Sequence, residues 1–583
     1  GGLAAAEAAI ADIEVVTVHS AEAARSAVAT PSMVIEPVWS DDELVGLVFD
    51  GTPSTFVALE HVDALLGEGG RSIAGHDCKP VVRALLSADL PVPKVAFDTM
   101  LAAWLINPAQ RAPTLTDLAY KELGVDVGGA AEAGASGAQA TLAFDAPTLD
   151  LEGAARRAAA VGAMITPLTA QLDARGSLDL YTSIELPLLA ILAEMEDDGV
   201  GLDVAFLTEY GTTLAGRIAE LQERIHALAG RAFNVNSTLQ LRSVLYDELG
   251  LPVLKRTPKG APSTDASVLE KLNGEHDIVG ELLLFRELDK LRSTYVESLL
   301  ALVEPDGRVR GRFNQTGAST GRLSMEQPNL QNIPARSVEG REIRKAFVAG
   351  EGTQFLVADY SQIELRILAH LSGDAGLVEA FEGDIDIHAA TAARVNGVSL
   401  DDVTDDMRRT SKMINFGLLY GMEAYGLAQR LDVDRSEAQR HIDEYFVQFP
   451  DVRAFMASIV DEARVNGYTT TILGRRRYLP ELHARSARER QMGERMALNA
   501  PIQGSAADII KKAMIDLRAV LAEQGSQARM LLQIHDELVM EVPDDEISDV
   551  TTTTVDVMQH VVDLRVPLKV SHGTGPSLAE AVH

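Results

Sequence analysis

Residues 355–366 read FLVADYSQIELR. The unbroken apolar run from Phe355 to Ala358 is strand-like, and a helical pattern starts just after it. Asp359 is thereby delivered to the C-terminal edge of a strand. A carboxylate in that position can hold a divalent cation, helped by a neighbouring carbonyl such as that of Tyr360. A plainer reading competes, since Ser361 and Glu364 fit the S-x-x-E pattern of a box that caps a helix N-terminus.

Two further segments carry chemistry. LLQIHDELVMEV, from Leu531, is a pair of apolar runs around His535, Asp536 and Glu537, as in a hairpin with polar residues at its bend. Buried carboxylates at such a bend need a counter-charge, whereas an exposed turn would need nothing. Asp359 and Asp536 are 177 residues apart, so spacing alone does not bring them together. If they meet, they suit a two-metal site for in-line displacement at phosphorus. RRTSKMINFGLLYG, from Arg408, places Arg408, Lys412, Phe416 and Tyr420 at steps of four, so cations and then aromatics share one side of a helix. That side can hold a triphosphate and stack a base; a solvated basic end on a core helix is the alternative. Other nucleotide sites are absent from the sequence: there is no GxxxxGK[ST] loop, no GxGxxG turn and no HExxH helix.

Around these segments lies an ordinary globular composition. The 583 residues are 46% hydrophobic and 23% charged, enough for several domains and too apolar for wholesale disorder. With 52 basic against 85 acidic side chains the formal charge is −33, which taken as a whole argues against nucleic acid as a partner. Cys78 is the only cysteine, so no intrachain disulfide and no cysteine-based zinc cluster can form, and a reducing cytosolic setting fits. No run approaches the length of a membrane span, and the start, GGLAAAEAAI, without Met, has the look of a fragment or processed product.

Residues 1–150 alternate strand-like runs (44–49, 56–59) with helical ones (81–87, 99–105), an α/β pattern that ends in a loop-like Gly/Ala/Ser stretch at 128–140. Further on, Phe206, Tyr210, Leu214, Ile218, Leu221, Ile225 and Leu228 predict one long amphipathic helix stopped by Gly230. A second stripe runs through Leu284, Leu288, Leu291, Tyr295 and Leu299, with Lys290, Arg292 and Thr294 off it. Residues 255–264, KRTPKGAPST, read as a basic loop unsuited to a core.

Taken in chain order, from Phe355, Arg408 and Leu531, the three chemical segments resemble motifs A, B and C of family A DNA polymerases. The resemblance covers most of the chain and includes FNVNST from Phe233, TPKGAPST from Thr257, LRSTY from Leu291, TGRLSMEQPNLQNIP from Thr320, DIHAATAA from Asp386, TILGRRRYLP from Thr471 and NAPIQGSAADIIKKAM from Asn499. It implies an α/β multidomain chain: an RNase H-like 3′-5′ exonuclease-type domain (1–184), then a right-hand polymerase with thumb (185–310), palm (311–375 and 484–583) and fingers (376–483). Asp359, Tyr360 and Asp536 would bind two Mg²⁺, with Glu537 supporting. Arg408, Lys412 and His388 would hold the triphosphate, with Lys412 protonating the leaving pyrophosphate. Gln362 would help position the nucleotide, Phe416 stack near its sugar and base, Tyr420 lie by the template, and Glu364 exclude a ribose 2′-hydroxyl. Arg322, Gln331, Arg495, Asn499, Gln503 and His535 would contact the duplex near the primer end, and Lys290, Arg292 and Thr294 would contact it from the thumb. The partners would be primer-template DNA and dNTPs, with no membrane, for a monomer working in the cytoplasm at the nucleoid.

One region departs from the family. Proofreading members carry a DxE pair on a first strand, a GxNxxxD-like turn and a YxxxD helix motif. Here the corresponding first strand reads Met33-Val34-Ile35-Glu36-Pro37-Val38, the turn Gly75-His76-Asp77-Cys78-Lys79-Pro80-Val81, and the helix Ala158-Ala159-Ala160-Val161-Gly162. A retained fold without 3′→5′ exonuclease activity is expected. A phage-type single-subunit RNA polymerase and a catalytically inactive DNA-binding scaffold are the rival readings; Glu364 and Phe416 argue against the first, and Asp359, Asp536 and Lys412 against the second. The charge also divides. Residues 1–150 hold 21 acidic and seven basic side chains, while 286–345 hold 11 basic against eight acidic and 464–495 eight against three. Net acidity therefore leaves room for a local basic track whose binding weakens with salt.

Overall fold

The computed structural model describes residues 13–28, 30–67, 70–128, 149–334 and 337–582. Of the loop expected at 128–140, only Gly128 lies within the described residues. The first sheet has six strands, β1 (Val15–Val18), β2 (Ser32–Ser40), β3 (Glu43–Phe49), β4 (Ser54–Ala58), β5 (Ser72–Gly75) and β6 (Lys94–Asp98), in the order β1-β4-β3-β2-β5-β6. Asp41 and Asp42 both take positive φ, 47° and 66°, which matches the twist of a tight hairpin and turns β2 back as β3. β5 and β6 run parallel to β2, as helical crossovers require.

The strand at Met33 is thus second, not first, among the described residues. Val15–Val18 precedes it as a four-residue parallel edge strand, too short an apolar run to stand out in the sequence. The run at 56–59 is shifted from its expected place: β4 starts at Ser54 and stops at Ala58, where a helix, Leu59–Leu66, begins. Helix α1 (Thr99–Ile106) is buried almost all round, and α2 (Leu151–Ala174) packs across the sheet against β2.

Helix α3 (Leu186–Asp198) has two apolar faces. Leu186, Leu189 and Ala193 belong to the core around the first sheet, whereas Leu188, Ile191, Leu192 and Met195 belong to the core of everything that follows. The long helix α4 (Val204–Ala229) starts on Asp203, which accepts a hydrogen bond from Phe206 N, and stops at Gly230 in the left-handed conformation. It packs against α5 (Asp277–Lys290), whose stripe continues through a π-turn, Leu291–Glu297. The basic loop at 255–264 does enter the core at its end: Ser263 and Thr264 are buried, and Tyr246 Oη donates to the Ser263 carbonyl at 2.5 Å.

The second sheet is antiparallel throughout. Its strands are β7 (Thr353–Tyr360), β8 (Arg529–Ile534), β9 (Glu537–Pro543) and β10 (Val570–Gly575), in the order β8-β9-β7-β10. β7 lies inside the sheet, and Phe355 to Ala358 are fully buried, which accounts for their continuous apolar run. After β7 come α6 (Ile363–Ser372), α7 (Ile387–Asn396), α8 (Asp405–Leu419) and the 38-residue α9 (Ala487–Gln524), which carries Pro501 in its interior. Among the described residues no single helix is long and apolar enough to cross a membrane.

Candidate active site

The edge of the second sheet gathers the acidic residues. Asp359 is directly opposite Glu537 of β9 and Ser571 of β10. The β8–β9 bend puts His535 at φ 56°, and the Asp536 carbonyl accepts from Tyr360 N at 3.1 Å. That bond ties the bend to the residue after Asp359. Tyr360 is itself anchored, its hydroxyl donating to the Met558 carbonyl at 2.7 Å. Burial, then Glu537 and Asp536, push Asp359 up to about 7. Asp536 rises to about 6 through burial and Glu364, against the pull of Arg322. Carboxyls raised by burial and by neighbouring carboxylates favour an added cation. Glu537 also faces Arg344, whose Nη2 is 3.8 Å from its Oε1.

The start of α6 does not form the capping box that Ser361 and Glu364 suggested. Gln362 occupies the cap position at φ 56° with no side-chain cap. The strand end turns Ser361 toward β10 instead, Oγ to Ser571 Oγ at 3.3 Å. Glu364 is buried and doubly held: Arg322 Nη2 donates to Oε1 at 2.6 Å and Tyr420 Oη to Oε2 at 2.5 Å. Tyr420 lies one residue beyond α8, so it leaves the helical face predicted for it and swings to α6. Burial, then Glu364, raise its hydroxyl well above the usual phenol range.

On α8, Arg408 and Lys412 are exposed and Phe416 half-buried. Arg408 is engaged by Asp386, Nη2 to Oδ2 at 2.7 Å, and Asp386 also caps α7 by accepting from His388 N at 2.8 Å. His388 is buried, its ring 5.6 Å from that of Phe416. Burial lowers it to about 4, Lys412 and Arg408 adding to the effect against Asp386, so the imidazole is neutral at pH 7. Its tautomer follows from its partners. Thr391 Oγ1 donates to the Ile387 carbonyl and accepts from Asn415 Nδ2, whose other hydrogen goes to His388 Nδ1 at 3.1 Å. The ring proton therefore sits on Nε2.

The remaining predicted residues fall into three places. Arg495, Asn499 and Gln503 follow one another at four-residue steps on α9. Arg495 packs beside Gly421, where an added Cβ would lie 3.3 Å from its Cγ, next to the Tyr420 turn. Asn499 Oδ1 is buried without a partner among the described residues. Gln331 Nε2 donates to the Gln533 carbonyl at 3.0 Å, and both side chains line a cavity of about 40 Å³ with Arg322, Lys511, His535 and Asp536. Lys290 and Thr294 are exposed near the end of α5, and Arg292 is paired with Asp289 and Glu297. Tyr295 Oη connects that segment to the site by donating to the Asn332 carbonyl at 2.5 Å.

Sequence reasoning missed Asp386, Asn415, Gln533 and Lys511. Asp386 had a usable signal, an N-cap two residues before His388. Nothing local marked the others.

Residues 204–580 match the pattern of DNA polymerase family A. DNA polymerase I of Geobacillus stearothermophilus is 46% identical over 531 residues, 91% of this chain and 60% of that protein. The Bacillus subtilis (strain 168) protein of the same name is 46% identical over 507 residues, 87% of this chain and 57% of that one. The chain spans about 60% of the length of these curated relatives. A solved structure, the POL domain of Pol1 from M. smegmatis in complex with DNA primer-template and dNTP, is similar at TM-score 0.89 and 38% identity, covering 98% of this chain and 100% of that one.

Proposed function

This chain belongs to DNA polymerase family A, and from that premise we propose that it performs template-directed DNA synthesis, adding deoxynucleotides to a primer 3′-OH and releasing pyrophosphate. The observation that carries the reading is the meeting of Asp359 and the Asp536 bend at one sheet edge, with both carboxyls raised. The M. smegmatis domain, with its primer-template and dNTP, supports the same partners here.

The family implies two Mg²⁺ ions, and the residues fit them. The donors are all oxygens, and among the described residues no three His, Cys, Asp or Glu side chains converge into a metal cage of their own. Such a set suits Mg²⁺, which is usually held by one or two carboxylates while substrate phosphates and water complete its shell. Asp359, Asp536 and the Tyr360 carbonyl would be the protein ligands, with Glu537 supporting. When bound, the ions supply charge neutralisation and activation of the primer hydroxyl.

The chain's own groups do the rest. Arg408 exchanges Asp386 for the triphosphate, a charge-assisted bond for a charge-assisted bond. Lys412 neutralises the phosphates and protonates the departing pyrophosphate. His388 donates through Nε2–H while remaining neutral. Gln362 positions the nucleotide and Phe416 stacks against its sugar and base. Glu364, held at both oxygens, presents a fixed wall to a 2′-hydroxyl. Tyr420 closes the template side, and Arg322, Gln331, Arg495, Asn499, Gln503 and His535 follow the duplex, partly through the minor groove.

The domain limits belong to the same proposal: 1–184, 185–310, 311–375, 376–483 and 484–583, the first supported by the change of core across α3. We read that first domain as an RNase H-like exonuclease-type fold without exonuclease activity, in a monomeric enzyme of the cytoplasm at the nucleoid. The decisive experiment is primer extension with dNTPs or rNTPs, with and without Mg²⁺. Mg²⁺-dependent extension by dNTPs alone is expected. Extension by rNTPs would support an RNA polymerase, and DNA binding without extension an inactive scaffold.

A further inference from the structure

The turn that carries Arg322 rests on a cluster of buried charges fed from the first domain. Gly321 has φ 84°, and a Cβ added to it would lie 2.5 Å from Arg475 Nε and 2.7 Å from its Cζ. The Arg475 guanidinium therefore packs directly against the residue before Arg322. On the other side of the turn, a Cβ on Gly504 of α9 would come within 3.2 Å of the Thr320 carbonyl. The turn is wedged between an arginine and a helix.

Arg475 itself has little freedom. It is fully buried and donates through Nε to Asp508 Oδ1 at 2.8 Å and through Nη2 to Glu185 Oε1. Its backbone N donates to Thr471 Oγ1 at 2.9 Å, and Thr471 Oγ1 donates to Asp508 Oδ2 at 2.6 Å. Lys511 shares Glu185, with Nζ 2.8 Å from Oε1 and 3.1 Å from Oε2. Both cations lie over the Trp104 ring of α1, Arg475 Cζ at 5.3 Å and Lys511 Nζ at 5.7 Å from its centroid. Two acids and two bases thus balance in a buried joint, where each hydrogen bond is directional and costly to break. Glu185 opens the chain into α3 and Trp104 sits in the first domain, so two of the three holders of the guanidinium come from the N-terminal side of the chain, Asp508 of α9 being the third.

We infer that Arg475, clamped by Glu185, Asp508 and Trp104, is a positioning residue for the polymerase site, setting Arg322 and through it the sugar-excluding carboxylate of Glu364. This gives the N-terminal domain a part in nucleotide selection that needs no nuclease chemistry. Arg322 holds one oxygen of Glu364 at 2.6 Å and Tyr420 the other, so a shift of the turn that carries Arg322 removes one of two anchors. The inference rests on the proposed DNA synthesis.

Primer extension by the parent protein tests that foundation separately. With the parent active, dNTP and rNTP kinetics are measured for Arg475→Lys, Trp104→Leu and Trp104→Phe, each checked for parental secondary structure by circular dichroism. Lysine cannot bridge two carboxylates in a planar fork. Arg475→Lys and Trp104→Leu are expected to raise the dNTP KM about tenfold, to lower dNTP-over-rNTP discrimination about tenfold and to change kcat less than about threefold, while Trp104→Phe keeps the ring and stays near the parent. If Arg475→Lys does not fold, Trp104→Leu against Trp104→Phe decides. Parental discrimination in the folded variants, or a loss confined to kcat, would overturn the inference; a parent that extends no primer would instead overturn the function it rests on.

Discussion

Glu36, buried in the first sheet, and Asp359, half-buried in the second, are carboxyls on interior strands, each raised to about 7 chiefly by desolvation, yet their neighbours act in opposite senses. Arg157 of α2, its Nε 2.7 Å away, pulls Glu36 back down. Glu537 and Asp536 push Asp359 further up. The fold sets a cation beside the first carboxylate and two further carboxylates around the second. Burial alone therefore does not mark a cation site; the sign of the surrounding charge does. Elsewhere on α2, a Cβ on Gly162, the position the resemblance matches to the late helix motif's carboxylate, would stand 3.0 Å from Asp50 Oδ2.

The contrast breaks most visibly in catalysis. Asp359→Ala should lower dNTP incorporation by about 10³-fold or more, whereas Glu36→Gln should leave it within about twofold. Equal extension rates for Asp359→Ala and parent would remove the two-metal reading. The second test concerns nuclease chemistry: release of a labelled, mismatched 3′ nucleotide without dNTPs should stay at background in Mg²⁺. Metal-dependent release abolished by Glu36→Gln would show that Arg157 does not close that site. A third is thermodynamic. At pH 8, Arg157→Leu leaves Glu36 buried without its partner and should cost about 3–5 kcal/mol in denaturant unfolding, much of it recovered by adding Glu36→Gln. No loss would mean that the pair is structurally idle.

The smallest effect is on pH. Because the folded carboxyl of Glu36 lies above its ordinary 4.5, its contribution is fully present below about pH 4.5 and is lost as pH rises through about 7. Parent stability should thus fall relative to Glu36→Gln between pH 5 and 7. A rise would place the folded carboxyl below its ordinary value and make the arginine the stronger influence.

The parts legible in the sequence were those governed by period and punctuation. β7 stood out because both its faces are buried, the β8–β9 bend because polar residues interrupt two apolar runs, and α4 because seven apolar residues hold helical spacing up to Gly230. Partner choice was not legible. Glu364 matched a local capping pattern, but Arg322 lies 42 residues before it and Tyr420 56 residues after it, and only the folded chain brings them together. The same holds for Arg408, whose partner Asp386 lies one helix earlier. The total of −33 misled for a related reason, since it sums over a strongly acidic first domain and says nothing about any one cleft.

Helix α9 has a consequence for how the molecule comes apart. At 1.5 Å per residue its 38 residues extend about 57 Å. Along that length it offers Arg495 beside the Tyr420 turn, Asp508 and Lys511 to the charged joint, and Arg518 to Glu194 of α3 at 2.8 Å. A helix frays from its ends, so its middle can open only when its packing on both sides is lost. Amide hydrogens from about Ile502 to Leu517, a stretch in which most residues are buried, should exchange with solvent only through global unfolding. Measured by hydrogen exchange, the first domain and the catalytic sheet would then behave as one cooperative unit, and boundaries drawn along the chain would not be the lines along which it melts.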